Sequence, residues 1–553
     1  MKYNNRGSTI SPQDLGLPPK FDQWYNYQEQ AMTRGVEAHV NGKRFVAQCR
    51  PVGSGKTVTA VGHALWLKSM GMVERLLYLT PGKLLQDQIN RDFGTVKVFE
   101  NRIVDVRGRD NYHCKQGGHG KHQLTCGQAR KQCAYTVSTQ LAISNKCPYN
   151  YAKFVALNEP LVCSNYAFQL AAGMSIEGKQ PFDMVVCDEA HVIEDQLTAV
   201  METEIGGTHY KRDWDFMRVR EVKPNTLDAT TMATLCAAGL RNINDDLESG
   251  DHSYDEDDME YIIDLCERLG KGKIADNNWV TDVNDKTGAI KLQPIWVGRY
   301  KEKVFRHCKY VLLMSGTINK YTLNYLGVRH EECDYSEWDY VFPRERSPIY
   351  WVRTATMTES ECRKTPSNYN VWASKVNQIA IPYMDNGYSG VVHTVSYDRA
   401  LRLIELLPEK LRARIITNAP VNGKKVFTNK VMEEYTTRAS NGEGVLVISP
   451  SLSTGHDLKD ELCRFNIIGK IPFEPGKGNL MKARRELDRM YGNNRAAQSM
   501  TQMVGRGNRN VNDWCAHYIL DDSIQWFMKL GLLQSWFKVQ AVNRVPPMLE
   551  FRS

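Results

Sequence analysis

A glycine-rich segment between a strand-like and a helical pattern constrains the fold of this chain more than any other feature. Residues 50–57 read RPVGSGKT; they follow the apolar run 45–47 and precede a helical pattern that begins at Val58. A strand, a glycine-rich turn and a helix in this order cradle phosphates with the free N–H groups of the helix N-terminus. Lys56 is then placed to reach the β- and γ-phosphates, and the Thr57 hydroxyl to bind Mg²⁺. The predicted nucleotide contacts in this segment are Gly53, Ser54, Gly55, Lys56 and Thr57.

Arg50 is the one departure of this segment from the full phosphate-loop pattern. That pattern has glycine five residues before Gly55, and Arg50 stands at this position. The residues that carry the mechanism remain in place, so the departure weakens the match and leaves the chemistry unchanged. A glycine turn beside a surface lysine is the alternative, and the choice between them depends on partner residues elsewhere in the chain.

The composition is that of a soluble protein with several domains. The chain has 553 residues, of which 42% are hydrophobic and 24% charged, and it is too long for a single hydrophobic core. It has no apolar run of about 18 residues and no apolar signal region at its N-terminus, which predicts a cytoplasmic protein without membrane segments. In a reducing compartment, 14 cysteines favour a metal site over disulfides. The net charge of +8 permits a polyanionic partner without demonstrating one.

Short apolar runs alternate with helical patterns in two series, which is typical of parallel sheets. Helices are predicted from Trp24 towards His39 and over residues 400–407. The first series predicts strands at 45–47, 76–79, 184–187 and 310–314. The second, which begins near Tyr350, predicts strands at 390–393, 414–416, 444–448, 465–468 and 516–520. The predicted fold class is therefore α/β with two parallel-sheet domains.

Two long segments interrupt the first series. Residues 100–150 are rich in Gly, Gln, Lys and Cys and poor in aliphatic runs, which predicts a small inserted module. Residues 200–300 carry amphipathic helical patterns and an acidic stretch at 245–260, which is typical of a solvated face or loop. The first domain is thus expected to be interrupted twice.

Two carboxylates follow the strand predicted at 184–187. Residues 188–191 read DEAH, and a parallel sheet places its ligands at the carboxyl ends of its strands. Asp188 is expected to hold Mg²⁺ through water, and Glu189 to polarise the water that attacks the γ-phosphate. Ser315 and Thr317 follow the strand 310–314 in the same way and are placed to relay the nucleotide state to a second domain.

Gln502, Arg506 and Arg509 have helical spacing near the end of the chain. On a helix these three residues share one face. Guanidinium groups aimed at a γ-phosphate stabilise the charge that develops in phosphoryl transfer. An exposed basic helix is the alternative interpretation of the same spacing.

Four cysteines lie between the phosphate loop and the two carboxylates: Cys114, Cys126, Cys133 and Cys147. They are separated by 11, 6 and 13 residues, a pattern that fits both a [4Fe–4S] cluster and a zinc ion. Nearby histidines keep mixed zinc ligation open: His113, His119 and His122. Cys163 is an alternative ligand, but its position beside a predicted strand favours packing in the core. Cys49 and Cys187 end core strands and are expected to be buried thiols.

Together these motifs resemble the superfamily 2 helicases, and the cysteine module is similar to that of the XPD/DinG branch. The resemblance rests on the order of the phosphate loop, residues 80–92, the DEAH residues, residues 315–317, residues 449–457 and residues 502–509. It implies two RecA-like domains with ATP and Mg²⁺ between them, and it favours a [4Fe–4S] cluster over zinc at the four cysteines. It also implies adenine contact by Gln28, a nucleotide role for Asp457, and catalytic roles for Lys56, Asp188, Glu189, Gln502, Arg506 and Arg509.

The resemblance also implies a domain order. This order is RecA-like domain 1 in three parts (1–100, 161–200 and 299–345), an iron–sulfur domain (101–160), a helical arch-like insertion (201–298) and RecA-like domain 2 (346–553). Basic and aromatic residues around the cysteines suit single-stranded nucleic acid, since cations follow phosphates and rings stack on bases. The expected nucleic-acid contacts are Thr80, Arg109 and Tyr112.

The activity that the resemblance implies is an ATP-dependent DNA helicase that moves 5′ to 3′ on single-stranded DNA and acts at duplex junctions. The sequence gives no clear oligomeric signal, and a monomer with a role in DNA repair or replication is expected. Two alternatives stay open: an ATPase that serves as a clamp or remodelling subunit without unwinding, and an RNA helicase.

Overall fold

The computed structural model describes most of both predicted domains. The described residues are 10–25, 27–93, 103–115, 124–129, 147–172, 180–205, 278–284, 289–420, 428–450, 460–474, 478–505 and 512–551, with the single positions 245, 249, 452, 458, 476, 507 and 508. Within them, no helix combines the length and the apolar character needed to cross a membrane.

Ten strands belong to the first part of the chain. They are β1 (Phe45–Cys49), β2 (Leu76–Thr80), β3 (Val104–Val106), β4 (Leu161–Asn165), β5 (Met184–Cys187), β6 (Thr203–Ile205), β7 (Trp279–Val283), β8 (Ile290–Pro294), β9 (Tyr310–Ser315) and β10 (Cys333–Glu337). Seven of them form a parallel sheet in the order β10-β1-β9-β5-β2-β4-β3. The other three form a small antiparallel sheet in the order β6-β8-β7, at the base of the second insertion.

Seven more strands form a second parallel sheet. They are β11 (Ile349–Val352), β12 (Gly390–His393), β13 (Ile415–Thr417), β14 (Leu446–Ser449), β15 (Phe465–Ile468), β16 (Ala516–Ile519) and β17 (Val539–Val542). Their order in the sheet is β13-β14-β12-β15-β16-β11-β17. The chain therefore folds into two parallel-sheet α/β domains, as the alternating pattern predicted.

Helices connect the strands and cover the sheets. In the first part of the chain the helices are Gln28–Val40, Lys56–Ser69, Lys83–Phe93, Pro148–Asn158, Tyr166–Ala172, Ile193–Met201, Glu302–Phe305 and Lys320–Tyr325. In the second part they are Glu359–Lys364, Asn368–Asp385, Tyr397–Leu406, Glu409–Arg412, Thr428–Ser440, Asn479–Leu487, Tyr491–Val504 and Ile524–Met528.

The central strands read as continuous apolar runs because both of their faces are covered. Every residue of β1, β2, β5 and β9 is buried. A parallel sheet with helices on both faces requires this pattern, whereas a sheet with one wet face would alternate. Because these strands are parallel, the segments that follow them meet at one edge of the sheet. This edge brings the phosphate loop, the DEAH residues and Ser315 together.

All nine predicted strands are confirmed, three with the predicted bounds and six with ends shifted by one or two residues. The predicted buried thiols are confirmed as well, since Cys49, Cys163 and Cys187 are fully buried. The first helix begins at Gln28, so the expected start near Trp24 is wrong. Cys133 lies outside the described residues, as do most of the predicted arch 201–298 and its acidic stretch 245–260 apart from positions 245 and 249. The described ends of the predicted arch contain the strands β6, β7 and β8.

The prediction of one helical face for Gln502, Arg506 and Arg509 is wrong at its C-terminal end. The helix that carries Gln502 ends at Val504, and Gly505 and Gly507 follow without helical structure. Glycine destabilises a helix and is enriched just after its end, which accounts for the stop. Arg506 and Arg509 themselves lie outside the described residues.

Two buried histidines predict how stability depends on pH. Burial lowers the pKa of His39 to about 4 and the pKa of His517 to about 3. An unfolded histidine has a pKa of about 6.5, so below that pH the unfolded chain takes up protons that the fold excludes. The free energy of unfolding should therefore fall as pH drops from about 6.5 towards 4, by about 2 kcal/mol per histidine at pH 5. Urea midpoints measured at pH 7 and pH 5 would show this fall.

The His39→Gln protein should lose less stability than the parent between these two pH values. His330 is exposed, so His330→Gln serves as the control and should behave like the parent. Equal falls in the parent and in His39→Gln would contradict the prediction.

Candidate nucleotide site and domain interface

The phosphate loop connects β1 to the helix Lys56–Ser69 and needs glycine at two positions. Gly53 and Gly55 have φ angles of 79° and 69°, in the left-handed region that side chains disfavour. A Cβ on Gly55 would also lie 2.1 Å from Gln28 Nε2. Gln28 donates through this nitrogen to the Ser54 carbonyl at 3.1 Å. The predicted adenine contact is thus buried and bound to the phosphate loop itself.

Arg50 lies under this loop with 1% of its surface exposed. Its guanidinium donates to the Ser54 carbonyl at 2.7 Å and to the Thr59 hydroxyl on the following helix. Burial lowers the pKa of Arg50 to about 9. The residue that breaks the glycine pattern therefore joins the loop to the first turns of its helix.

Lys56 and Glu189 face each other across the site. The Lys56 ammonium lies 3.7 Å from Glu189 Oε1 and 3.5 Å from the Arg50 carbonyl. Burial alone would raise the pKa of Glu189, but the Lys56 ammonium and the contact with His191 hold it well below its usual value. Glu189 is therefore ionised at neutral pH. Its backbone has a φ of 48°, an uncommon conformation for a residue with a side chain and one found often at functional sites.

Asp188 and Thr57 converge on the hydroxyl of Tyr78. Tyr78 donates to Asp188 Oδ2 at 3.2 Å and also hydrogen-bonds to the side chain of Thr57. Burial and the neighbouring Glu189 carboxylate raise the pKa of Asp188 above its usual value. A carboxylate and a hydroxyl beside the phosphate loop are oxygen ligands of the kind that Mg²⁺ uses in nucleotide sites. The donor set therefore fits the magnesium that the sequence predicts.

His191 connects the first domain to the second. Its Nδ1 lies 2.7 Å from the Ser315 hydroxyl and 3.3 Å from Glu189 Oε2, and its Nε2 contacts the Gln502 amide nitrogen. A neutral ring with its proton on Nδ1 satisfies these contacts, because Nε2 then accepts from Gln502. Ser315 in turn donates to Glu189 at 3.3 Å and accepts from the Thr317 N–H at 3.0 Å. The pattern that suggested a relay at Ser315 and Thr317 thus corresponds to a continuous hydrogen-bond chain.

Gly505 brings the second domain against the phosphate loop. A Cβ at Gly505 would lie 2.7 Å from Val52 Cγ2, closer than real Cβ contacts. Glycine is therefore required because the end of the helix Tyr491–Val504 approaches the loop closely. The next residue along the chain is Arg506.

A buried ion pair holds the two domains together near the DEAH residues. Arg484, from the second domain, lies 3.1 Å from Glu194 Oε1, and both side chains are 3% exposed. The guanidinium also donates to the Ile295 carbonyl at 2.6 Å and to the Thr198 hydroxyl at 3.0 Å. Tyr491 accepts from Arg484 at 2.7 Å and donates to Glu194 at 2.9 Å. Three of the groups around Arg484 thus belong to the first part of the chain.

Three of the four predicted cluster cysteines, Cys114, Cys126 and Cys147, are among the described residues. The Cys114 N–H donates to the Leu124 carbonyl at 2.9 Å, and the Cys126 N–H donates to the Tyr112 carbonyl at 2.8 Å. Cys126 and Cys147 pack in the same core cluster. Among the described residues, no three His, Cys, Asp or Glu side chains are close enough to hold a metal ion.

The predicted nucleic-acid contacts lie in different environments. Thr80 is fully buried at the end of β2, and its hydroxyl donates to the Gly82 carbonyl at 3.1 Å. Arg109 lies over the ring of Tyr149 at 5.1 Å, and Tyr112 packs beside the same ring at 5.7 Å. Both are half-buried. Leu84, just beyond Thr80, is 73% exposed.

Sequence reasoning missed three parts of this site. Arg50 registered only as a mismatch, and Tyr78 was part of an apolar strand. The pair Arg484 and Glu194 joins residues almost 300 positions apart, so no local spacing indicates it. The sequence offers one signal for a buried acid, since Glu194 lies three residues before the apolar Leu197 and shares its face of the helix.

Comparisons with known proteins agree with this arrangement. Two family descriptions match: the helicase C-terminal domain over residues 384–539, and the res subunit of type III restriction enzymes over residues 22–212. A protein described as a probable ATP-dependent helicase, from Methanocaldococcus jannaschii, is 25% identical over 190 residues. That alignment covers 31% of this chain and 28% of the relative, so the chain matches less than a third of the relative's length.

Two solved structures have similar folds. One is titled an XPD helicase and has a TM-score of 0.57 at 16% identity. The match covers 93% of this chain and 99% of the chain in that structure. The other, Xpd4 of S. tokodaii, has a TM-score of 0.54 at 15% identity and covers 94% and 100%. At these identities the likeness concerns the fold.

Proposed function

We propose that the chain is an XPD/DinG-like superfamily 2 helicase that uses ATP to move 5′ to 3′ on single-stranded DNA and to unwind duplex DNA. Its two domains are those of an ATP-hydrolysing helicase. The similarity of its fold to XPD structures favours DNA over RNA as the substrate. The proposed active form is a monomer at junctions of single-stranded and duplex DNA.

The single observation that carries this proposal is the chain of contacts from Lys56 to Gln502. Lys56 contacts Glu189, Glu189 contacts His191, and His191 contacts Gln502 from the other domain. A nucleotide bound at Lys56 thereby becomes linked to the position of the second domain. Such a link between hydrolysis and domain movement is what a translocating motor requires.

Each residue has a proposed role in hydrolysis. Lys56 binds the β- and γ-phosphates, and Glu189 orients the attacking water and accepts its proton. Thr57, and Asp188 through water, would hold Mg²⁺, which would supply positive charge to neutralise the phosphates. Gln502 contacts His191, which contacts Glu189, so the presence of a γ-phosphate at the site affects the position of Gln502. The proposed remaining nucleotide contacts are Gln28, Gly53, Ser54, Gly55, Asp457, Arg506 and Arg509.

The test combines an ATPase assay with strand displacement on matched substrates. DNA duplexes with a 5′ or a 3′ single-stranded tail, and RNA duplexes of the same sequence, should be offered with Mg-ATP. We expect ATP turnover stimulated by DNA and displacement on 5′-tailed DNA. Turnover without displacement of any duplex would favour a clamp or remodelling ATPase, and displacement of RNA alone would favour an RNA helicase.

The predicted domain boundaries and the iron–sulfur cluster are part of the proposal. Cysteine thiolates are the ligands of anionic iron–sulfur clusters, and the Arg109 and Lys153 cations lie over the ring of Tyr149, two residues after Cys147. The cluster would serve as a structural staple, and thiolates at these cysteines with Cys133 would hold it. Zinc is the alternative at the same four positions.

The Cys126→Ser protein is expected to lose its iron and its unwinding activity. Small modules with few aliphatic residues depend on metal ligation to fold, so the module should become disordered. ATP binding at Lys56 should persist, because the phosphate loop belongs to the core of the parallel sheet. Iron and sulfide content, nucleotide affinity and strand displacement are the three measurements.

Cys163→Ser is the matched control, since Cys163 is a fully buried thiol of β4 and not one of the four cysteines assigned to the cluster. Its iron content should equal that of the parent. Stoichiometric zinc without iron in protein purified anaerobically would reject the iron–sulfur assignment. Full unwinding by Cys126→Ser would reject the structural role of the module.

A further inference from the structure

Arg50 is a buried cation without an anionic partner among the described residues. Its two hydrogen-bond partners, the Ser54 carbonyl and the Thr59 hydroxyl, are neutral. Burial is the one influence on its pKa, which at about 9 leaves the guanidinium protonated at neutral pH. Because a buried, uncompensated charge is strongly unfavourable, a role for this charge has to be sought close by.

The position of this charge relates it to the phosphate loop. Ser54, to which Arg50 donates at 2.7 Å, is part of the loop whose N–H groups face the phosphates. The Arg50 carbonyl lies 3.5 Å from Lys56 Nζ, so the same residue also contacts the lysine that reaches the phosphates. The guanidinium is therefore one layer of backbone below the phosphate cradle.

We propose that Arg50 determines the affinity of this site for nucleotide phosphates through its charge, and that it selects polyphosphates over monophosphates. The inference rests on the proposed nucleotide site. A nucleoside triphosphate above the loop supplies the counter-charge that the described surroundings of Arg50 lack. Attraction between charges several ångström apart is weakened little by salt when one of them is buried. Because it scales with the charge of the ligand, the gain should grow from AMP to ADP to ATP.

Arg50→Met tests the role of the charge, since methionine keeps a long flexible chain and removes the cation. Dissociation constants for ATP, ADP and AMP should be measured with Mg²⁺ by equilibrium dialysis. We expect the affinity for ATP to fall at least about tenfold, that for ADP less, and that for AMP by no more than about twofold. An equal loss for all three nucleotides, or no loss for ATP, would overturn the proposal.

Thr59→Val is the matched control for the hydrogen bond. It removes one partner of the guanidinium and leaves the charge in place, so the ratio of ATP to AMP affinity should stay within about threefold of the parent. A ratio that falls as far as in Arg50→Met would show that the contact and not the charge matters, and would overturn the proposal.

If Arg50→Met does not fold, the pair Arg50→Lys and Arg50→Gln carries the same test. Lysine keeps the charge and should retain the parent's preference for ATP over AMP, whereas glutamine keeps polarity alone and should lose it. Equal preferences in the two proteins would overturn the inference. The parent separates the two proposals: absence of Mg-ATP binding by the parent would reject the nucleotide site, whereas binding with an unchanged preference in the variants would reject the role of Arg50 alone.

Discussion

Glu189→Gln should bind ATP as tightly as the parent and hydrolyse it at least about a hundredfold more slowly. Glu189 is held ionised by Lys56 at 3.7 Å and is oriented by the Ser315 hydroxyl at 3.3 Å. The amide of glutamine preserves the size of the side chain and one of its two acceptor oxygens, but it cannot accept the proton of an attacking water. ATPase rates at saturating DNA and nucleotide affinities measured in parallel would separate binding from turnover.

Glu331→Gln is the control for this substitution. Glu331 is an exposed glutamate of the same domain, and its loss should leave both quantities unchanged. Hydrolysis at the parent's rate by Glu189→Gln would contradict the role assigned to the DEAH residues. Loss of nucleotide binding in the same protein would place Glu189 in the binding of phosphates and not in the chemical step.

The core of the site could be predicted because parallel sheets turn local patterns into a shared position. β1, β5 and β9 each read as an apolar run followed by polar residues. Since the three strands are neighbours with parallel register, their following segments had to meet. The contact of Glu189 with Lys56 and with Ser315 is the result. These predictions needed no long-range information beyond the fold class.

Other features depend on contacts that no local pattern encodes. The antiparallel sheet of β6, β7 and β8 pairs strands on either side of the second insertion, and its short strands resemble many loops. The need for glycine at 505 comes from the close approach of this residue to Val52, in a distant part of the chain. Arg50 appeared only as a mismatch, because the sequence motif describes the residues that face the phosphates. The Arg50 side chain lies on the opposite, buried side of the loop.

Arg484→Gln should keep ATP binding within about threefold of the parent and lose at least about tenfold in turnover. Removing one partner of a buried ion pair costs about 3–5 kcal/mol, because the other charge remains buried without compensation. In Arg484→Gln the carboxylate left without its cation is that of Glu194, three residues after His191. The cost falls on the closed arrangement of the domains, since separation would let water reach Glu194. The measurements are kcat and KM for ATP, and fluorescence transfer between dyes on the two domains with a non-hydrolysable ATP analogue.

The position of Arg484 on its helix makes Arg485 the matched control. Arg485 has the same charge and the adjacent position, but it donates to the Glu474 carbonyl within the second domain. Arg485→Gln should therefore close and hydrolyse ATP like the parent. Arg484 binds Tyr491 at the start of the helix Tyr491–Val504, and Gln502 lies near the end of the same helix. Loss of the ion pair should therefore also weaken the contact of Gln502 with His191. Unchanged closure and turnover in Arg484→Gln would show that the contact of Gln502 with His191 forms without this ion pair.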